Sequence, residues 1–193
     1  MKKMLFVGLG NIGTRFTNTR HNFGIATLRD WVGENESAVK SGWKTDASGK
    51  WASAKLVFGD CEITVMFPLT MMNNSGEAVG EFIRYERLDK GEILLVHDDM
   101  ELPLGEIRLG RGSAKGHNGV RSVQTALGSK DVRRLRLGIG RPPQNMEAEE
   151  YVLQKFSAAE RETMSKQKLT AMASLTKVAV LGELGAGIGT KNN

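Results

Sequence analysis

The stretch Met4-Leu5-Phe6-Val7-Gly8-Leu9-Gly10-Asn11-Ile12-Gly13 opens on four consecutive apolar residues and runs straight into a glycine-rich loop. A short apolar run without alternation reads as a strand buried on both faces, as in a parallel sheet covered by helices. A second such run, Ile93-Leu94-Leu95-Val96, leads into His97-Asp98-Asp99. Around these two strands, helical and extended patterns alternate. Phe23, Ile25, Ala26, Leu28, Trp31 and Val32 suit a helix, whereas residues 54–58 and 63–67, joined through Gly59-Asp60, read as a hairpin. The polar segment 37–53, with Trp43 and Trp51 as isolated anchors, reads as a loop with short strands. Asn74 or Ser75 is placed to cap a helix, and His117 or Asn118 to open another that Gly128 stops. Residues 105–109 and 134–139 read as strands, the second alternating Arg and Leu as though one face were charged. Residues 148–155 and 158–184 are helical in pattern. The expected fold is α/β: a single globular domain over residues 1–184, with a twisted mixed β-sheet flanked by helices on both faces. Residues 185–193 form a Gly-rich tail that is expected to be flexible.

The 193 residues, 40% hydrophobic and 25% charged, suffice for a core without covalent staples. One cysteine, Cys61, excludes a disulfide framework and points to a reducing, cytoplasmic setting. No apolar run approaches the roughly 20 residues that cross a bilayer, so no membrane association is expected. The start, Met1-Lys2-Lys3 followed by Met4 to Val7, mimics a signal peptide, but Gly8, Gly10, Asn11 and Arg15 interrupt it. The formal charge is +5, from 27 basic and 22 acidic residues. Between Arg108 and Arg141 nine basic residues face one acid, Asp131, so this segment carries 9 − 1 = +8 and the remainder −3. Such a segment suits a polyanionic partner, and equally a solvated face with some arginines packed inside. A lipid surface fits less well, because glycines interrupt the segment.

Gly8-Leu9-Gly10-Asn11-Ile12-Gly13 matches a dinucleotide-binding loop, yet no helical stripe follows it and Asp30, the nearest suitably spaced acid, falls inside a helix pattern. The glycines are better read as letting the chain turn tightly and expose Asn11. His21 lies in a polar segment after the first strand, where an imidazole suits general-base work near neutral pH. Asp98 follows a buried strand and would emerge at the sheet's C-terminal edge, placed either to orient such an imidazole or to cap a turn. His97 reads as packed and His117 as a helix cap. The three histidines have no metal-ligand spacing, so no metal or other cofactor is expected. No G-x-S-x-G elbow appears, and Cys61 falls in the hairpin, which leaves a serine or cysteine nucleophile unsupported. Asn11, Asn73 and Asn118 each sit in a Gly-rich turn and together offer neutral donors around one base.

Six blocks resemble bacterial-type peptidyl-tRNA hydrolase: Phe6-Val7-Gly8-Leu9-Gly10-Asn11, Thr19-Arg20-His21-Asn22, Met72-Asn73-Asn74-Ser75-Gly76, His97-Asp98-Asp99, Gly116-His117-Asn118-Gly119 and Arg134-Leu135-Arg136-Leu137-Gly138-Ile139-Gly140-Arg141-Pro142. They stand in the family's order over roughly residues 4–156, about four-fifths of the chain. The resemblance implies a metal-free, monomeric esterase that frees tRNA from peptidyl-tRNA released by ribosomes. It implies His21 as catalytic base and Asp98 as its orienting partner. Asn11, Asn73 and Asn118 would position peptide and water or stabilise the oxyanion, with Phe16 and Met72 also in the substrate site. Arg136 and Arg111 would clamp the tRNA 5′-phosphate, with Lys115 adding charge at the binding loop. This chain departs from the family pattern at Ile12 (usually Pro), Phe16 (usually Tyr), Lys115 (usually Gly) and in its Gly-rich end. Two other readings are a non-catalytic RNA-binding relative, and a small-molecule esterase or amidase that would need no basic segment.

Overall fold

The computed structural model describes residues 1–184. The strands are β1 (Lys2–Gly8), β2 (Val39–Thr45), β3 (Trp51–Phe58), β4 (Cys61–Pro68), β5 (Ile93–Asp99), β6 (Ile107–Gly110) and β7 (Arg133–Gly138). They form one sheet in the order β2-β3-β4-β1-β5-β7-β6. The centre, β4-β1-β5-β7, is parallel, while β3 and β2 extend one edge and β6 closes the other in antiparallel pairing. The helices are α1 (Phe23–Glu34), α2 (Ser75–Glu86), α3 (Asn118–Leu127), α4 (Ala148–Leu153) and α5 (Arg161–Leu181). Strands and helices together make one domain with a mixed sheet, as the alternating patterns imply.

Side chains of a strand alternate faces, so β1 feeds two cores. Met4 and Phe6 point into one with Trp31, Ile63, Val65 and Leu175, covered by α1 and α5. Leu5 and Val7 point into the other with Phe82, Leu95 and Val120, covered by α2 and α3. Helices on both faces are the reason β1 and β5 read as unbroken apolar runs. The parallel strands end together, which gathers the segments after β1, β4 and β5 at one edge of the sheet. Gly24 brings the start of α1 onto that edge: a Cβ there would lie 2.1 Å from the Val96 carbonyl oxygen.

Several local expectations are corrected. The polar segment 37–53 contains the full edge strand β2, and Trp43 stacks on Phe67 with ring centroids 4.5 Å apart. Neither Asn74 nor Ser75 caps α2 through its side chain; a 3-10 turn, Met72–Asn74, leads into the helix, and Ser75 Oγ donates to the Met72 carbonyl. The last helix starts at Arg161, not at residue 158. Asn11 is buried rather than exposed by its glycines. The arginines of β7 do not form an open charged face, since Arg134 and Arg136 are both buried. The expected tail, 185–193, lies outside the described residues.

Candidate active site

His21 occupies a 3-10 turn, Arg20–Asn22, immediately before α1. Its Nδ1 lies 3.0 Å from each carboxylate oxygen of Asp98, near the end of β5. His117 caps α3: its Nδ1 accepts the Val120 amide at 3.2 Å, and its Nε2 lies 3.0 Å from Asp98 Oδ1. A backbone N–H can only donate, so Nδ1 of His117 is the unprotonated nitrogen. Its Nε2 therefore carries the proton and donates to Asp98. Two imidazoles, their centroids 4.8 Å apart, thus converge on one carboxylate.

Asp98 is only 1% exposed. Burial alone would raise its pKa, but electrostatic attraction and hydrogen bonding from the His21 and His117 imidazoles hold it well below the usual carboxylate range. Burial alone would depress His21, yet the Asp98 charge and hydrogen bond outweigh it and raise the imidazole above its ordinary value. With its Nδ1–H committed to Asp98, His21 keeps Nε2 as the basic nitrogen, on the wall of a cavity of about 790 Å³. His97 is packed, as expected. Its Nδ1 donates to the Asp98 carbonyl at 2.6 Å, and burial, with the neighbouring His117, pushes its pKa down to about 3.

Asn11 is pinned by Asn22, whose side chain accepts the Asn11 amide at 2.8 Å and donates to the Asn11 carbonyl at 2.9 Å. The Asn11 side-chain oxygen accepts the Met72 amide at 2.8 Å, so its NH2 group is the end left for the cavity. Asn73, before α2, and Asn118, at the start of α3, line the same cavity with Phe16, Met72 and Lys115. The family model for peptidyl-tRNA hydrolase matches residues 5–188. The chain belongs to the peptidyl-tRNA hydrolase family. It is 42% identical over 161 residues to a peptidyl-tRNA hydrolase of Staphylococcus saprophyticus, covering 83% of this chain and 82% of that protein. It is 39% identical over 173 residues to one from Lactiplantibacillus plantarum, covering 89% and 90%. A crystal structure of peptidyl-tRNA hydrolase from Acinetobacter baumannii superposes with a TM-score of 0.83 at 29% identity, over 93% of this chain and 89% of that one.

Two of the residues that the family resemblance nominated stand apart from the cavity. Arg136 is buried on β7, where its Nε donates to Asp99 Oδ2 at 2.6 Å. Arg111 is exposed and pairs with Asp131 at 2.5 Å. The +8 segment is also less open than its sequence count, because the acids that balance it come from just outside. Arg108 pairs with Glu106, and Arg141 with Glu101 at 2.7 Å. Arg134 is spent on structure, donating to the Ser113 carbonyl at 2.9 Å and the Arg111 carbonyl at 3.3 Å. Lys115, Arg121 and Lys130 are exposed and, among the described residues, carry no ion pair. Lys115 has φ 47°, in the left-handed region that favours glycine.

Sequence reading missed two members of this centre. His117 was given only its capping role, although the block Gly116-His117-Asn118-Gly119 carried the signal. Asn22, next to His21, was not singled out at all. Spacing along the chain also separated the histidines: ligand-type atoms of His21, Asp98 and His117 lie within 4.8 Å of one another. No helix of the described residues is long and apolar enough to cross a membrane.

Proposed function

We propose that this protein hydrolyses the ester joining a peptide to the 3′ end of tRNA, with His21 as general base. The observation that carries this reading is the double donation to Asp98. It holds the carboxylate ionised and leaves His21 Nε2 free at the cavity wall. A water on Nε2 attacks the ester carbonyl carbon, and its proton passes to the imidazole, whose positive charge Asp98 stabilises. The Asn11 NH2 group is available to the developing oxyanion or to the peptide, and Asn73 and Asn118 to the peptide backbone. When the carbon–oxygen bond to ribose breaks, the imidazolium returns its proton to the leaving hydroxyl. The products are a peptide acid and tRNA.

The tRNA body is bound outside the cavity, through phosphates. Exposed Lys115 and Lys130 supply the charge, and Arg111 adds to it when it leaves Asp131 for a phosphate. Arg136 serves a phosphate only through the part of its guanidinium that Asp99 does not occupy. The test is hydrolysis of an N-acetyl-aminoacyl-tRNA by wild type and His21→Ala. Turnover should fall at least ~10²-fold with tRNA binding retained, and near-normal single-turnover rates in the variant would refute the assignment.

A further inference from the structure

A second cleft, of about 530 Å³, shares Asn73 and Asn118 with the reaction cavity and runs on between α2 and α3. The two helices meet closely at its floor. A Cβ on Gly76 would lie 2.1 Å from the Ser122 carbonyl oxygen, and Ser122 Oγ accepts the Gly76 amide at 2.9 Å. The floor is therefore backbone and short side chains, held rigidly at the mouth of the reaction site.

We infer that this cleft binds the backbone of the substrate peptide beyond the residue esterified to tRNA. The inference rests on the hydrolase reading above. Peptidyl-tRNA leaves its ester in two directions, and each arm needs a path. The charged lining of the cleft is one carboxylate, Glu77, and one guanidinium, Arg121; Glu77 is itself paired with Lys50 at 2.9 Å, and Lys50 also holds Glu81, so the four charges sum to zero. A path for an RNA strand needs net positive charge, so this balance favours the peptide. The other polar lining is amide and hydroxyl, from Asn73, Asn118, Ser122 and Thr125, which both donate and accept as a peptide backbone does. No aromatic side chain lines it, so it selects no particular peptide side chain. From Asn118 to Thr125 the wall spans seven helical steps, about 10 Å, the length of roughly three extended residues.

The experiment measures KM for peptidyl-tRNAs carrying one, two, four and six N-acetylated residues on the same tRNA. In wild type KM should fall roughly fivefold from one residue to four and then level off. Thr125→Trp and, on the other wall, Glu77→Trp should each abolish that fall while the one-residue substrate keeps its KM and kcat. Two variants on separate helices guard against one that misfolds, which a thermal melt would reveal. A wild-type KM that ignores peptide length, or a fall that survives both folded variants, overturns the cleft assignment and leaves the hydrolase reading intact. An equal rise in KM for every length, with weaker inhibition by deacylated tRNA, means that the cleft carries RNA and also overturns it. Failure of wild type to hydrolyse even the one-residue substrate refutes the enzyme reading itself.

Discussion

Asp98 and Asp99 are neighbours on β5, both buried, and both partnered, yet they are built for different work. Both line the cavity, but Asp98 receives two imidazoles at 3.0 Å, whereas Asp99 receives the Arg136 guanidinium at 2.6 Å and the Glu101 amide at 2.9 Å. Alternation along the strand sends successive side chains to opposite faces, so one chain position decides which partners each carboxylate meets. An imidazole exchanges its proton near neutral pH, while a guanidinium does not. In the proposed reaction the same acid would serve proton transfer at one position, and it is a fixed tie between β5 and β7 at the next.

Asp98→Asn attacks the first device and should have the largest effect. It removes the negative charge and one of the two acceptor oxygens that fix His21, so kcat should fall by about 10³-fold or more. His21 must be neutral to act, so activity falls as pH drops through its pKa. Asp98 raises that pKa above 6.5, and the substitution should therefore move the acid limb of kcat/KM to lower pH. An unmoved limb would mean that Asp98 does not set the His21 charge. Asp99→Asn attacks the tie. It leaves a largely buried guanidinium without its counter-charge, so stability should drop by about 3 kcal/mol in chemical denaturation, with the His21 acid limb unchanged. If instead the pH profile moves and the stability does not, the division of labour between the two carboxylates is wrong.

His117→Asn separates capping from donation, because asparagine also caps helices well. Loss of one hydrogen bond to a charged group should lower kcat roughly tenfold with little change in thermal stability. A wild-type kcat would reduce His117 to a cap. Lys115→Gly should have the smallest effect, stabilising the protein by about 1 kcal/mol through relief of the left-handed backbone. Because it also removes a cation, the salt dependence of tRNA binding should flatten by about one unit of slope. A steeper or unchanged slope would take Lys115 out of the RNA surface.

Much of the fold was readable because it rests on local pattern. Unbroken apolar runs at β1 and β5 announced strands covered on both faces, and Gly128, with φ 62°, ends α3 where its position suggested. β2 was harder, because an edge strand with mostly exposed side chains has no apolar periodicity to detect. His21, Asp98 and the three asparagines were legible through motif blocks rather than through spacing, since 77 positions separate the two members of the pair. His117 illustrates the limit: one ring does two jobs, and its neighbours along the chain reveal only the cap.

The amino-acid order by itself determined which segments become strands and helices, and that a histidine, an aspartate and three asparagines would stand in or near the segments that connect strands to helices. Those are consequences of nearest-neighbour chemistry and periodicity. Which charges remain in water was decided only by tertiary structure. Arg134 and Arg136 look like members of a basic face until packing encloses them against the loop carbonyls and Asp99. The tautomer of His117, and with it the state of Asp98, was likewise set by the fold, because a proton's location depends on partners that folding brings within 3.2 Å.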